Sequence, residues 1–233
     1  MPIRGVLRLV GIITGIFSLF LLIPFIYGMA NGFVDVTFLL TCLLGQVVTG
    51  ICICLGKKQN YYTIRDGFLT VVLIWLITIV LGALPLWLGH VTSDWTDAVF
   101  ESTSGLTTTG ASILPDLDVI PPPYILWRSL MHWLGGMGII VLLVGFIKSL
   151  GSGSNFFAAE SSVQESGGMV PRIQVIARQL WGVYLGLTIA CIMFLYVAGM
   201  PLFDAVNYAF SVMGAGGFSP SNEGLFFYAH SPA

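Results

Sequence analysis

Apolar residues run almost unbroken through five stretches of the chain, approximately 6–27, 33–55, 67–89, 124–147 and 179–200. Each is rich in Leu, Ile, Val, Phe and Gly and holds very few charges. A bilayer core about 30 Å thick needs roughly 20 apolar residues in one helix, and every stretch meets that length. Glycines inside such helices let neighbours approach closely. The pattern predicts an all-α polytopic membrane protein. Only 9% of the 233 residues are charged, against about 25% in a soluble domain, and the mean hydropathy is +0.92. A soluble helical core fails on both helix length and charge.

Charge placement predicts the orientation. Arg4 and Arg8 precede the first span, Lys57, Lys58 and Arg65 follow the second, and Lys148, Arg172 and Arg178 follow the fourth. With alternating spans these eight of nine basic residues share one side. The other side carries Asp35, Asp94, Asp97, Glu101, Asp116, Asp118, Asp204 and Glu223, with Arg128 alone among the bases. The positive-inside rule then puts the N-terminus in the cytoplasm. The Gly- and Ser-rich stretch 149–170 reads as a cytoplasmic linker. Its "GSG" is not a phosphate loop, since no strand precedes it and no Lys-Ser/Thr follows. No cleavable signal peptide is evident, and no basic run points to nucleic acid.

Between the third and fourth spans the pattern breaks. "WTDAVFESTSGLTTTG" (95–110) supports about three helical turns and then turns polar, so the helix reaches roughly half a bilayer at 1.5 Å per residue. Non-helical backbone at membrane depth is tolerated only where it lines a watery cavity or is buried in protein. The loop is therefore either external or the lining of a pore. A shift of 107 residues lays "DAVFESTSGLTTTGAS" (97–112) over "DAVNYAFSVMGAGGFS" (204–219), with six of sixteen positions identical. Gly110 falls on Gly217, and Thr108-Thr109 on Ala215-Gly216. Asp97 and Asp204 are expected as helix N-caps. Repeats in transport proteins often place the binding site where the copies meet.

The chemistry of this repeat suits a cation. Backbone carbonyls can replace the hydration shell of potassium. Glycine reaches dihedrals closed to other residues, and threonine hydroxyls can brace the loop or add an oxygen. A half-helix presenting its C-terminal end favours a positive charge. An acidic outer face enriches cations locally.

"FESTSGLTTTGAS", the following "WLGGMGIIVL" (133–142) and "FDAVNYAFSVMGAGGFS" (203–219) together resemble TrkH-type subunits of the Trk/Ktr/HKT superfamily of potassium transporters. The resemblance implies four span–pore-loop–span repeats after an N-terminal helix hairpin. On that pattern residues 1–60 hold the hairpin, 61–150 the first repeat, 151–172 the cytoplasmic linker, and 173–233 an incomplete second repeat. It implies potassium coordination at Thr108, Thr109 and Gly110 in the first loop. In the second loop the positions are Ala215, Gly216 and Gly217, with Ala215 standing where a larger residue is common. Thr107 and Glu101 are expected to support them. It also implies a homodimer in the cell inner membrane, a cytosolic nucleotide-binding regulatory subunit, and potassium as transported ion rather than cofactor. The chain stops at Ala233, so the missing repeats lead us to expect a piece of a longer subunit, unable to conduct alone.

Other residues carry competing readings. Arg128 is expected to snorkel at the outer interface. His132 is read as a packed or hydrogen-bonded helix residue. Glu101 is either functional at membrane depth or bonded to backbone behind the loop. Gly135, Gly136 and Gly138 form either a hinge or a close-packing surface. The "PPP" run (121–123) stiffens the entry to the fourth span. Cys52-x-Cys54 lies in an apolar run without a nearby histidine, so both are read as small hydrophobes. No nucleophile or metal cluster points to an enzyme. An ion-coupled carrier of another small solute is the alternative function, although none of the five spans has a central charge.

Overall fold

The computed structural model describes residues 3–58, 63–151 and 169–229. Among these residues the fold is entirely helical, as the apolar pattern requires. Helices α1 (Ile3–Phe20) and α2 (Leu22–Ala30) form the first span, interrupted at Leu21. Pro24 explains the interruption: its ring crowds the carbonyl four residues back, at Phe20, and it donates no hydrogen bond. Helix α3 (Thr37–Leu55) returns alongside α1. A Cβ on Gly45 would lie 2.5 Å from the Ser18 Cβ, and one on Gly11 would lie 2.8 Å from the Cys52 Cβ. Glycine at these sites is therefore what lets the hairpin close. The Gln46 amide nitrogen donates to the Gly15 carbonyl (3.1 Å) and the Ser18 hydroxyl (2.8 Å) across the same interface.

Helix α4 (Ile64–Leu88) opens with a capping box. Thr63 Oγ1 accepts from Asp66 N–H, and Asp66 accepts from Thr63 N–H, so two helix-end donors are satisfied reciprocally. Helix α5 (Trp95–Leu106) is the expected half-helix. It is followed by α6 (Pro122–Gly151), α7 (Met169–Val197), a second half-helix α8 (Leu202–Met213) and a final turn, α9 (Phe226–Ala229). The two α1/α2 segments together, α3, α4 and α7 are each long and apolar enough to cross a membrane. Helix α6 has 30 residues, about 45 Å at 1.5 Å per residue. The chain is therefore membrane-embedded. Most of the expected linker, 152–168, lies outside the described residues.

The core sits where α6 meets α1, α3, α4 and α5. Trp127, Phe38 and Phe17 pack edge to face there, with Leu86, Leu130 and Met131 fully buried around them. The Trp127 indole N–H donates to the Gly82 carbonyl of α4 at 3.0 Å. The half-helix α5 is pinned to the same wall: Ser102 Oγ donates to the Ile79 carbonyl at 2.8 Å. A side chain at Gly82 would occupy the Ser102 hydroxyl position. At the start of α6, Tyr124 hydrogen-bonds Asp35 and Thr37, which ties the hairpin to α6.

Candidate functional site

The two half-helices each have 12 residues, and their bounds differ by the same 107 residues as the sequence shift. Their ends are built alike. Thr108 N–H donates to the Gly105 carbonyl (3.1 Å) and Thr109 N–H to Ser104 (3.0 Å). In the second copy Ala215 N–H donates to Val212 (2.9 Å) and Gly216 N–H to Ser211 (2.9 Å). This paired arrangement is a Schellman cap, which satisfies two orphan carbonyls at a helix end. It demands a left-handed residue, and neither copy uses glycine for it. Thr108 has φ +57° and Ala215 has φ +52°. Each costs about 1–2 kcal/mol relative to a right-handed conformation, and such strain clusters at ligand clamps and switch regions.

The expected N-caps are corrected by the structure. Asp94 and Pro201 hold the cap positions, while Asp97 and Asp204 lie in the first turn. A carboxylate is favourable there as well, because the first turn carries the positive end of the helix dipole. Asp97 accepts from Ser93 Oγ, and Asp204 from the Tyr228 hydroxyl.

After the caps the two loops meet. Gly110 has φ +77°. A Cβ on it would lie 2.6 Å from Gly217 N and 2.8 Å from Gly217 Cα. Residues paired by the repeat therefore face each other at backbone distance. In the first loop the Thr107 hydroxyl donates to the Thr103 carbonyl at 2.7 Å and is 2.8 Å from the Thr109 hydroxyl. Thr107 and Thr109 are both exposed. The equivalent positions in the second loop are Gly214 and Gly216, and the reason is steric. A Cβ at 214 would lie 2.5 Å from the His132 carbonyl, and one at 216 would overlap the His132 ring.

Helix α6 is the platform for both loops. A side chain at Gly135 would overlap the Leu106 carbonyl, and a Cβ at Gly136 would lie 2.7 Å from Gly214 Cα. Close packing therefore accounts for these two glycines, while Gly138 faces open space. His132 is fully buried, and its Nε2 accepts from Gly217 N–H at 3.2 Å.

Behind the first loop lies a buried ion pair. Arg128 Nη2 is 2.6 Å from Glu101 Oε1, and Arg128 Nε donates to the same oxygen at 2.7 Å. The side chains are 1% and 0% exposed, so Arg128 does not snorkel. Its pull toward Glu101 and its stacking on Phe218, 4.1 Å from guanidinium to ring centroid, hold it inside. Glu101 also accepts from Ser112 Oγ (3.0 Å) and Ile113 N–H (3.1 Å), just beyond the first loop. The Ile113 N–H bond is the expected contact with backbone behind the loop. Phe218 adjoins the second loop and stacks on His132 with centroids 4.1 Å apart. The cluster thus joins α5, α6 and both loops. Two opposite charges in apolar surroundings signal a pair, and that signal was available in the sequence.

A second clasp joins the segments that follow Gly110 and Gly217. Asn222 donates to Asp116 (2.6 Å) and Asp118 (3.0 Å), and its Oδ1 accepts from Leu117 N–H (2.9 Å). No local pattern announces this contact, because its partners are more than a hundred residues apart. Among the described residues no cluster of three metal-ligating side chains occurs, and Cys52 is buried while Cys54 is exposed.

Comparison with known proteins gives this geometry its relatives. The profile of the TrkH family, described as a cation transport protein, matches residues 38–232. A potassium uptake protein TrkH of the Trk system from Vibrio parahaemolyticus is 36% identical over 98% of this chain and 48% of its own length. The TrkH of Escherichia coli K12 is 37% identical over the same shares. An uncharacterized cation transporter of Methanocaldococcus jannaschii is 32% identical over 94% of this chain and 46% of its own. The crystal structure of the potassium transporter TrkH from Vibrio parahaemolyticus superimposes with a TM-score of 0.82 at 36% identity. That match covers 95% of this chain and 45% of the other. The chain spans about half the length of the curated relatives it matches.

Proposed function

Since the chain belongs to the TrkH family of cation transport proteins, we propose that it forms part of a potassium uptake pathway and supplies two of four selectivity-filter loops. The observation that carries this reading is the face-to-face approach of Gly110 and Gly217 just after two half-helices with matching C-terminal caps. The ion is coordinated by backbone oxygens at Thr108, Thr109 and Gly110 and at Ala215, Gly216 and Gly217, with Thr107 and Glu101 in support. Carbonyl rings suit a dehydrated cation, and the arrangement offers an anion no ring of donors. The full-length protein carrying this sequence, reconstituted in vesicles, is expected to take up potassium well ahead of sodium and to ignore neutral solutes. Gly217→Val should abolish uptake or collapse that preference while the protein still accumulates. Wild-type selectivity in this variant would remove the second loop from the filter.

The same reading carries an orientation and an assembly. The N-terminus is cytoplasmic, in a cell inner membrane, and the loop 107–121 opens outward. The protein is a homodimer docking a cytosolic nucleotide-binding regulatory subunit, for which the basic face is available. The orientation is testable in a background whose four cysteines are replaced by alanine. Val119→Cys, at an exposed position, should react with an impermeant maleimide added outside intact cells. Lys58→Cys, also exposed, should react only after permeabilisation. Labelling of both from outside would overturn the topology.

A further inference from the structure

The two loops are restrained by different means. In the first, the hydroxyls of Thr107 and Thr109 brace each other and the end of α5. The second has glycine at both matching positions and so has no side chains of its own to do this. Glycine peptides reorient easily because no Cβ limits their dihedrals. Something else must fix the peptide planes of 214–217 if they are to present carbonyls in one direction.

His132 is the group in place. Residues 214–218 wrap around it, with Gly214 against its carbonyl, Gly216 against its ring and Phe218 stacked on that ring. Its Nε2 takes the Gly217 N–H, so the ring is neutral and Nδ1 carries the proton. The peptide joining Gly216 to Gly217 is planar and trans, and in that geometry the N–H and C=O point in opposite directions. Holding the N–H toward α6 therefore turns the Gly216 carbonyl away from α6. Gly216 is one of the proposed ligands.

We propose that His132 is a positioning residue of the second loop, which aims the Gly216 carbonyl at the ion by accepting the Gly217 N–H. The inference rests on the filter reading above. Among the described residues it has no counterpart in the first loop, and it makes a residue of one repeat responsible for the filter of the next.

The test uses the full-length protein in vesicles and reads potassium KM and the potassium-to-sodium uptake ratio. His132→Leu removes the acceptor. It should reduce the uptake ratio by about tenfold or more, the effect of a shift worth one decade, with maximal flux less affected than selectivity. His132→Gln places an oxygen near the Nε2 position and should restore most of the ratio. A merely structural histidine would lower protein yield without separating these two variants. If His132→Leu fails to accumulate, His132→Met carries the same expectation, because a thioether is a weak acceptor. Wild-type selectivity in the Leu or Met variant overturns the proposal, as does an equal loss in the Gln variant. Gly217→Val run in parallel separates the two levels. If it destroys selectivity while His132→Leu does not, only the role of His132 falls. If both behave as wild type, the filter reading falls with it.

Discussion

Arg128→Leu is expected to destabilise the full-length protein by about 3–5 kcal/mol, the cost of leaving one partner of a buried ion pair uncompensated. Glu101 is fully buried. Without the guanidinium its charge keeps only the Ser112 hydroxyl and the Ile113 N–H. Phe218 would also lose the cation stacked on its face. The Glu101→Leu/Arg128→Leu double variant should recover most of the loss, since replacing both members of a buried pair by apolar groups is often neutral or stabilising. Thermal unfolding in a fixed detergent, followed by tryptophan fluorescence, measures both. Additive losses in the double variant would show that the two side chains act independently, contrary to their 2.6 Å contact. The pair is also wired to both loops through Ser112 and Phe218. A double variant that regains stability but not selectivity would assign the pair to loop placement.

How much of this was legible beforehand follows the range of the interactions. The spans were, because a bilayer imposes a length and polarity that a single stretch of sequence must satisfy. Helix interruption at Leu21 follows from Pro24 by a rule spanning four residues. The 107-residue repeat was legible because six identities survive in sixteen positions, and its two helices carry matching bounds. The caps were misplaced by three residues because aspartate suits both the cap and the first turn. Arg128 was misread because a long side chain can reach an interface or fold inward. Glu101, the other charge in apolar surroundings, is the sequence signal that favours the inward course. The His132–Gly217 and Asn222–Leu117 bonds join residues 85 and 105 positions apart. Nothing local encodes them, except that glycines at 214 and 216 replace threonines at 107 and 109. That substitution reports the His132 carbonyl pressed against position 214 and its ring against position 216.

The glycine at 110 is constrained twice, because two independent penalties meet there. Its φ of +77° lies in the region that favours glycine, so any Cβ adds about 1–2 kcal/mol of backbone strain. That Cβ would also lie 2.6 Å and 2.8 Å from main-chain atoms of Gly217. Main chain cannot rotate aside as a flexible side chain can. Relief requires the two loops to separate, at a cost on the order of 1–3 kcal/mol for overpacking. Even the smallest substitution, Gly110→Ala, should therefore cut potassium uptake by about tenfold or more, since about 1.4 kcal/mol is one decade. Gly67→Ala near the start of α4 has nothing within 4 Å of the added Cβ, and it should transport as wild type. Gly110→Ser adds a hydroxyl but shares the same Cβ, so it should be no better than alanine. The decisive quantity is uptake per molecule of reconstituted protein, normalised to the amount in the membrane. If Gly110→Ala transports normally, the loops do not meet at this glycine in the working protein, and the pairing on which the filter assignment stands is wrong.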